Sequence, residues 1–260
     1  MIKKKENKMN ISQFRDAMTK LFPEELLAEF EGDFGFLNTS NNNIATIGYA
    51  TNISLEVIDQ AAALSVDLIV THHDAWDFIY GLREACVSRL KEHNISHFFI
   101  HGPLDFISFG TYAALMDVMG INRIEQHSVY EEEEFPGIGE FNEPVLFKDL
   151  VQKMRTELDE PVRAWRNNDR NVKRVGVLTG AGHATNHIQW ALDHDCDTYI
   201  TGEATLYSIQ YAQYAGINLI AGSHTFTEIF GVKNLAEKTK DTHPELELIQ
   251  LKESHFELNH

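Results

Sequence analysis

Two adjacent histidines, His72 and His73, stand at the end of a short apolar stretch that begins after Asp67. The stretch reads Leu-Ile-Val-Thr, which is typical of a buried strand. Successive side chains of a strand point to opposite faces, but the chain turns where a strand ends, so two neighbouring imidazoles can converge there. Imidazole is a common metal ligand, and strand ends are where open α/β sheets place their sites. The stretch therefore indicates either a metal site or a solvated polar strand end.

Polar side chains of the same kinds follow two other predicted strands. Asp105 comes after a strand predicted over residues 96–101, and His224 follows one predicted over 217–221. His224 and Glu228 are four residues apart, so they share one face of a helix that starts near His224, although such pairs also occur by chance. Imidazoles and carboxylates together suit zinc, manganese, iron or nickel rather than calcium. The predicted ligands of a pair of divalent metal ions are His72, His73, Asp105, His224 and Glu228.

Two further residues are candidates for moving protons at such a site. His101 closes the strand that precedes Asp105, and it is interpreted as a general acid or base, a support for a ligand, a substrate contact, or simply a hydrogen-bonded histidine. Glu203 follows a predicted strand of the second half, in the place that the histidine pair has in the first. Asp74 and Asp77 are expected to cap the next helix. The histidines expected at the surface are His127, His183, His187, His194, His243, His255 and His260.

Composition excludes several classes of protein. The formal net charge is −17 over 260 residues, which disfavours binding to phosphate backbones. The two cysteines, Cys86 and Cys196, are too few for a disulfide framework or a thiolate zinc site, so we expect them in the core. The basic N-terminus is not followed by the apolar segment of a secretory signal, and no apolar run approaches the roughly 20 residues of a membrane span. We therefore expect a cytoplasmic protein without membrane contact.

Alternating strands and helices predict an α/β fold with mainly parallel sheets flanked by helices. We expect a helix over 10–30 that is interrupted at Pro23, a loop over 31–43 and a turn over 137–140. Residues 62–73 and 191–203 each contain a helix end, an aspartate, a buried strand and a polar cluster. This echo predicts two related lobes, about 10–130 and 131–253, whose equivalent strand ends face a shared cleft. The alternative is that any α/β chain shows some such echo.

Five elements in this order resemble a known family, the GTP cyclohydrolase I type two homologs, also called the Nif-three-like family. The resemblance covers roughly residues 10–253. Its elements are the strand with its histidine pair at 67–73, His-x-x-x-Asp at 101–105, Gly-x-Gly at 137–139, Thr-Gly-Glu at 201–203 and Gly-x-His-x-x-x-Glu at 222–228. The resemblance implies a single Nif-three-like domain of two lobes without an inserted domain, preceded by a disordered extension over residues 1–9.

The resemblance also implies a ligand set and an assembly. In the family, the equivalents of His72, His73, Asp105, His224 and Glu228 hold two metal ions. Family members are toroidal hexamers built from dimers, with their metal sites facing the interior. This implies a homo-oligomer, a hexamer, for the present chain.

The surroundings of the histidine pair depart from the family pattern. Asp74-Ala75-Trp76 stands where the family has proline and an apolar residue, and Gly102-Pro103-Leu104 stands where it has Thr-Asn-Leu. The resemblance implies a metal-dependent hydrolase with a dinuclear site acting on a small molecule, with GTP suggested by the family name. The alternative is a non-enzymatic metal-binding scaffold or regulatory ring protein.

Overall fold

The computed structural model describes residues 8–255 and residue 257. Its strands are β1 (Met9–Asn10), β2 (Phe34–Asn38), β3 (Asn43–Ile44), β4 (Thr46–Ala50), β5 (Leu68–Thr71), β6 (Ser96–Ile100), β7 (Arg123–Gln126), β8 (Val129–Tyr130), β9 (Glu134–Phe135), β10 (Gly137–Val145), β11 (Arg163–Trp165), β12 (Val172–Leu178), β13 (Thr198–Thr201), β14 (Asn218–Ala221) and β15 (Glu247–Gln250). Its helices are α1 (Ile11–Leu21), α2 (Glu24–Glu29), α3 (Leu55–Ala63), α4 (Leu82–Glu92), α5 (Gly102–Phe106), α6 (Thr111–Met119), α7 (Phe147–Leu158), α8 (Thr185–Asp193), α9 (Leu206–Ala215) and α10 (His224–Thr242). The predicted α/β fold with helices flanking sheets is confirmed.

The chain forms two compact units, which do not follow the boundary expected near residue 130. Unit 1 contains the described residues up to Ile107 together with Val232–Ser254, and unit 2 contains Ser108–Gly231 together with the described residues from His255. Helix α10 begins in unit 2 and continues in unit 1. The division is discontinuous because the last strand, β15, pairs with β4 and so returns the chain to the sheet of unit 1.

The sheet of unit 1 is mainly parallel. Its strand order is β15-β4-β5-β6-β2, and every pairing is parallel except that of β2 with β6. Strand β5 is buried along its whole length, as expected for a parallel strand with helices on both faces. Helices α3 and α4 are the crossovers between β4, β5 and β6, so the carboxyl ends of these strands lie at one edge. That edge positions the histidine pair.

The sheet of unit 2 is mixed, in contrast to the expectation of mainly parallel pairing. Its order is β11-β14-β13-β12-β10-β7, and only the pairings among β12, β13 and β14 are parallel. The predicted turn over 137–140 is wrong, because these residues begin strand β10. A Cβ on Gly139 would lie 3.2 Å from Met116 Sδ and closer still to Ile121, so the glycine lets α6 pack against the strand.

Three smaller predictions are also corrected. The loop expected over 31–43 contains β2, which pairs antiparallel with β6 so that Phe34 lies opposite Ile100 and Phe36 opposite Phe98. Residues 1–7 of the predicted disordered extension lie outside the described residues, but Met9 is fully buried and pairs with Ile44. Asp74 does not cap α4; its carboxylate contacts Arg83 at 2.5 Å, because the helix begins after Gly81. Among the described residues, no helix has the length and apolar character of a membrane span.

An aspartate plays the same structural role in each unit. Asp67 Oδ2 accepts hydrogen bonds from the N–H groups of Ala45 and Thr46, at 2.8 and 3.1 Å. Asp197 Oδ2 accepts equivalent bonds from Lys173 and Arg174, also at 2.8 and 3.1 Å. Each carboxylate thus joins the start of its own strand to the start of the neighbouring parallel strand. The echo noted in the sequence corresponds to a repeated local structure.

Candidate functional site

The histidine pair of unit 1 is buried and fixed by its backbone. The N–H groups of His72 and His73 both donate to the carbonyl of Thr51, at 3.1 and 2.9 Å. The side chains of the pair are almost fully inaccessible to solvent. Their ring centroids lie 4.7 Å apart, so the chain does turn at the end of β5 and the imidazoles do approach each other.

The hydrogen bonds of the two rings define which nitrogen carries the proton. His72 Nδ1 lies 3.0 Å from the carbonyl oxygen of Ile100, which can only accept. His73 Nδ1 lies 2.7 Å from Asn52 Oδ1, and the Asn52 amide nitrogen in turn donates to Glu253 at 2.9 Å. Each ring therefore carries its proton on Nδ1 and presents Nε2 as an electron-pair donor. Fixing the ring through its second nitrogen is characteristic of metal-ligating histidines.

A carboxylate and a third imidazole lie beside the pair. His72 Nε2 is 3.4 Å from Asp105 Oδ1, on the short helix α5. His101, directly after β6, has its ring centroid 4.8 Å from that of His72. One donor atom of each of His72, His73 and His101 lies within 4.8 Å of the other two. His101 was predicted as a proton carrier, and this geometry also makes it a potential metal ligand.

Asp33, which sequence reasoning missed, holds His101 in place. Its Oδ2 lies 3.0 Å from His101 Nδ1 and accepts a bond from Gly102 N–H at 2.8 Å. Burial alone would raise the pKa of Asp33, but the His101 and Gly102 contacts outweigh it and hold that pKa below its ordinary value. Asp33 is therefore an ionised partner that orients the imidazole. It lies in a loop with no motif, so no local signal could have found it.

In unit 2 the first turn of α10 carries the other two predicted ligands. His224 Nε2 is 3.3 Å from Glu228 Oε1, as their spacing of four residues requires on a helix. Burial lowers the pKa of His224, but the neighbouring carboxylates of Glu228 and Glu203 raise it to about 11. The two carboxylates that favour the protonated ring create a negative electrostatic potential around it, and the same potential favours the binding of a metal cation.

The turn after β12 packs directly against this pair. Gly180 has φ +61°, and a Cβ there would lie 2.8 Å from His224 Nε2 and would also meet Glu228. Its N–H donates to Thr227 Oγ1 at 3.1 Å, which ties the turn to α10. Glycine is required at this position both by its backbone conformation and by the lack of space.

Glu203, predicted as a proton carrier, contacts two imidazoles. Its Oε1 lies 2.8 Å from His224 Nδ1, and its Oε2 lies 2.9 Å from His183 Nδ1. The hydrogen bond with His224 is the main reason why the pKa of Glu203 lies below its ordinary value. His183 was expected at the surface; its side chain is partly exposed but belongs to this cluster. His187, also expected at the surface, is buried.

The donor set of each unit fits a divalent transition metal or zinc. Unit 1 offers imidazole nitrogens and the Asp105 carboxylate, and unit 2 offers His224 with the Glu228 carboxylate. Neutral imidazole and carboxylate are the ligands that zinc, iron, manganese and nickel share, whereas calcium requires oxygen atoms alone. Both cysteines are buried, and burial raises the pKa of the Cys86 thiol to about 11 and that of Cys196 to about 12. They are inert core residues, as expected.

Comparisons with known proteins agree with these features. The family model of Duf34/NIF3 (NGG1p interacting factor 3) matches residues 9–256. A "GTP cyclohydrolase 1 type 2 homolog" of Pyrococcus horikoshii is 30% identical over 204 residues, which cover 76% of this chain and 80% of the relative. A protein with the same description from Haemophilus influenzae is 28% identical over 194 residues, which cover 71% of this chain and 75% of the relative.

Solved structures show the same fold at low sequence identity. Reduced HcgD from Methanocaldococcus jannaschii has a TM-score of 0.76 and 23% identity, covering 94% of this chain and 98% of that protein. A Bacillus cereus protein related to NIF3 has a TM-score of 0.76 and 14% identity, covering 95% of this chain and 97% of that protein. At these identities the likeness concerns the fold.

Proposed function

Because the chain belongs to the Duf34/NIF3 (NGG1p interacting factor 3) family, we propose that it is a metal-dependent hydrolase with a dinuclear metal site. The proposed ligands of the two divalent ions are His72, His73, Asp105, His224 and Glu228. The observation that carries the proposal is the pair of buried imidazoles, each with Nδ1 on a fixed acceptor and Nε2 presented as a donor. Buried histidines arranged in this way favour a cation over solvent.

The bound ions would supply Lewis acidity and would lower the pKa of water toward about 7. The chain's own residues orient the ligands and carry protons. The contacts of His101 with Asp33 support a role in proton transfer, because an ionised carboxylate fixes the orientation and the tautomer of the imidazole. The contacts of Glu203 support orientation of His224 rather than proton donation, since its pKa is lowered.

The proposed substrate is a small molecule with a polarised carbon or phosphorus centre. The relatives described as GTP cyclohydrolase 1 type 2 homologs make nucleotides, and GTP in particular, the first compounds to test. We also propose a cytoplasmic homo-oligomer, a hexamer, as the family resemblance implies. Sedimentation of the purified protein tests the assembly independently of the chemistry.

The first experiment is elemental analysis of protein purified without chelators or nickel resin. We expect about two metal ions per chain in the wild type and a loss of at least half in Glu228→Ala, because one carboxylate ligand is removed. Glu237→Ala, an exposed glutamate further along the same helix, is the matched control and should keep the wild-type content. Absence of metal from the wild type, even after reconstitution with zinc, manganese or iron, contradicts the proposal.

The second experiment separates an enzyme from a non-enzymatic metal-binding scaffold. A panel of phosphoesters, cyclic amides and GTP is tested with metal-loaded wild type and with His101→Gln. For a hydrolase we expect turnover in the wild type and a loss of about 100-fold or more in the variant, the usual contribution of a general acid or base. If the metal-loaded His101→Gln protein keeps its turnover, His101 is not a catalytic residue. If the wild type turns over no compound of the panel, the result favours the metal-binding scaffold.

A further inference from the structure

The Glu203 carboxylate of unit 2 has one histidine on each of its two oxygens. His224 Nδ1 lies 2.8 Å from Oε1 and His183 Nδ1 lies 2.9 Å from Oε2. An ionised carboxylate only accepts hydrogen bonds, so the His224 ring carries a proton on Nδ1. His183 Nδ1 is in close polar contact with Oε2 without the alignment of a hydrogen bond. With Nδ1 engaged by Glu203, Nε2, the nitrogen nearest to Glu228, is the atom of His224 that would bind a metal ion once its own proton is displaced. Glu203 orients a proposed ligand, and His183 engages the other side of the same carboxylate.

His183 occupies a defined place in the turn between β12 and α8. The turn contains Gly180, which fits against His224 only because it lacks a Cβ. The backbone N–H of His183 donates to the carbonyl of Ala181 at 2.7 Å, which closes the turn directly before α8. The backbone of this turn packs against α10, the helix that carries His224, and it therefore sets the position of the His183 ring.

A single contact does not fix a partly exposed glutamate. The Glu203 side chain is 39% exposed, so with only His224 as a partner it could rotate about its terminal torsion and retain other rotamers. Ordering a glutamate side chain costs roughly 1.5–2 kcal/mol of rotamer freedom. Two imidazoles on opposite oxygens fix both the rotamer and the plane of the carboxylate before a metal ion arrives.

We propose that His183 is a positioning residue for the metal site, which acts through Glu203 to hold His224 in its ligating orientation. The inference rests on the proposed function, since it takes His224 as a ligand of a divalent ion. His183 acts on His224 only indirectly, because it restricts the movement of the Glu203 carboxylate that contacts His224. Its loss weakens metal binding without removing a ligand.

The expected effect is smaller than that of losing Glu203 itself. Removing a residue that orients a ligand typically costs 10- to 100-fold in metal affinity, which is the effect expected for Glu203→Ala. His183 is one contact further away, so we expect His183→Ala to weaken affinity about 3- to 10-fold on the same scale. Asparagine has an amide N–H at the position of imidazole Nδ1, so His183→Asn should restore most of the affinity.

The test measures zinc affinity by competition with a chromophoric chelator, together with the absorption spectrum of the cobalt-substituted protein. The matched control is His194→Ala, another partly exposed histidine of unit 2, whose Nδ1 faces the Trp190 carbonyl at 2.8 Å. We expect weaker binding and a shifted cobalt spectrum in His183→Ala, near-normal values in His183→Asn and no change in the control. In the Glu203→Ala background, His183→Ala should add nothing, since it has no carboxylate to act through.

Each alternative outcome is decisive. Wild-type affinity in His183→Ala, or an additive loss in the double variant, overturns the role of His183 while leaving the metal site intact. Failure of the wild type to bind zinc overturns the proposed function and this inference with it. Thermal unfolding of the metal-free variants checks folding, and His183→Phe, which keeps the ring without the N–H, replaces His183→Ala if the latter does not fold.

Discussion

His97 makes the stability of unit 1 sensitive to acid. The residue is fully buried in β6, and its Nε2 lies 2.7 Å from Thr71 Oγ1. The Thr71 hydroxyl lies 2.6 Å from the carbonyl of His73, to which it can only donate, so it must accept from His97 Nε2–H. Nδ1 of His97 is buried and has no hydrogen-bond partner among the described residues. A proton added to Nδ1 would therefore be a buried charge without an acceptor.

The free energy follows from the pKa in the two states. Burial, with a smaller contribution from the positive charge of Arg83, lowers the pKa of His97 to about 3, against 6.5 for the unperturbed side chain. Between these values the unfolded chain binds a proton and the folded chain does not, so stability falls as the pH decreases through 6.5 and continues to fall to about 3. At pH 5, about 1.5 units below the unfolded value, the loss is about 2 kcal/mol.

The assay is urea unfolding at pH 7 and pH 5 on wild type and His97→Gln. Glutamine keeps an N–H for Thr71 but does not titrate, so all other groups contribute alike in both proteins. We expect the wild type to lose about 2 kcal/mol more than the variant between the two pH values. Equal losses in the two proteins would show that His97 is protonated in the fold and would refute the reasoning.

Two further predictions concern the candidate metal site. Gly180→Ala should weaken zinc binding by at least 10-fold as measured by chelator competition, because the Cβ meets His224 and Glu228. Gly216→Ala has a similar φ of +73° but open space around the Cβ, so it should cost about 1 kcal/mol in urea unfolding and leave zinc affinity unchanged. Asn52→Ala removes the acceptor of His73 Nδ1 and should weaken zinc binding about 10- to 100-fold in the same competition, whereas the exposed Asn142→Ala should not. Wild-type affinity in Gly180→Ala or Asn52→Ala would contradict the arrangement described for the corresponding unit.

Local patterns in the sequence were sufficient for the elements that bury apolar runs. Strands β6 and β14 lie within the ranges 96–101 and 217–221 that the sequence predicts for them. The failures occur where tertiary packing decides. Glycines are typical of turns, but those at 137 and 139 lie in strand β10, where Tyr112 and Ile121 occupy the space that larger side chains would fill. Propensity alone does not reveal such a neighbour.

The same distinction applies to the candidate site. His72 and His73 could be recognised because they follow an apolar strand, and His224 and Glu228 because their spacing matches a helix turn. Their supporting residues could not be recognised in this way. Asp33 and His183 reach their partners through loops, and the contacts depend on how those loops close over strand ends that lie far away in sequence. A residue that orients a ligand needs only one polar atom in the right place, and that atom can come from any nearby loop. The sequence therefore shows no regular spacing by which such a residue could be recognised.

A comparison of the two units shows which residues of the repeated structure are fixed by the fold and which can differ and so provide functional side chains. Asp67 and Asp197 make the same pair of bonds to the neighbouring strand, so their positions are set by the register of the parallel sheet. The residues after the following strands differ: a histidine pair follows β5, while Glu203 lies beyond β13. A strand end can change its side chains without changing its hydrogen bonds, because the ladder uses backbone groups only. In unit 1 this edge carries imidazoles that are themselves proposed ligands, and in unit 2 it carries a carboxylate that orients the imidazole of His224 at the start of α10.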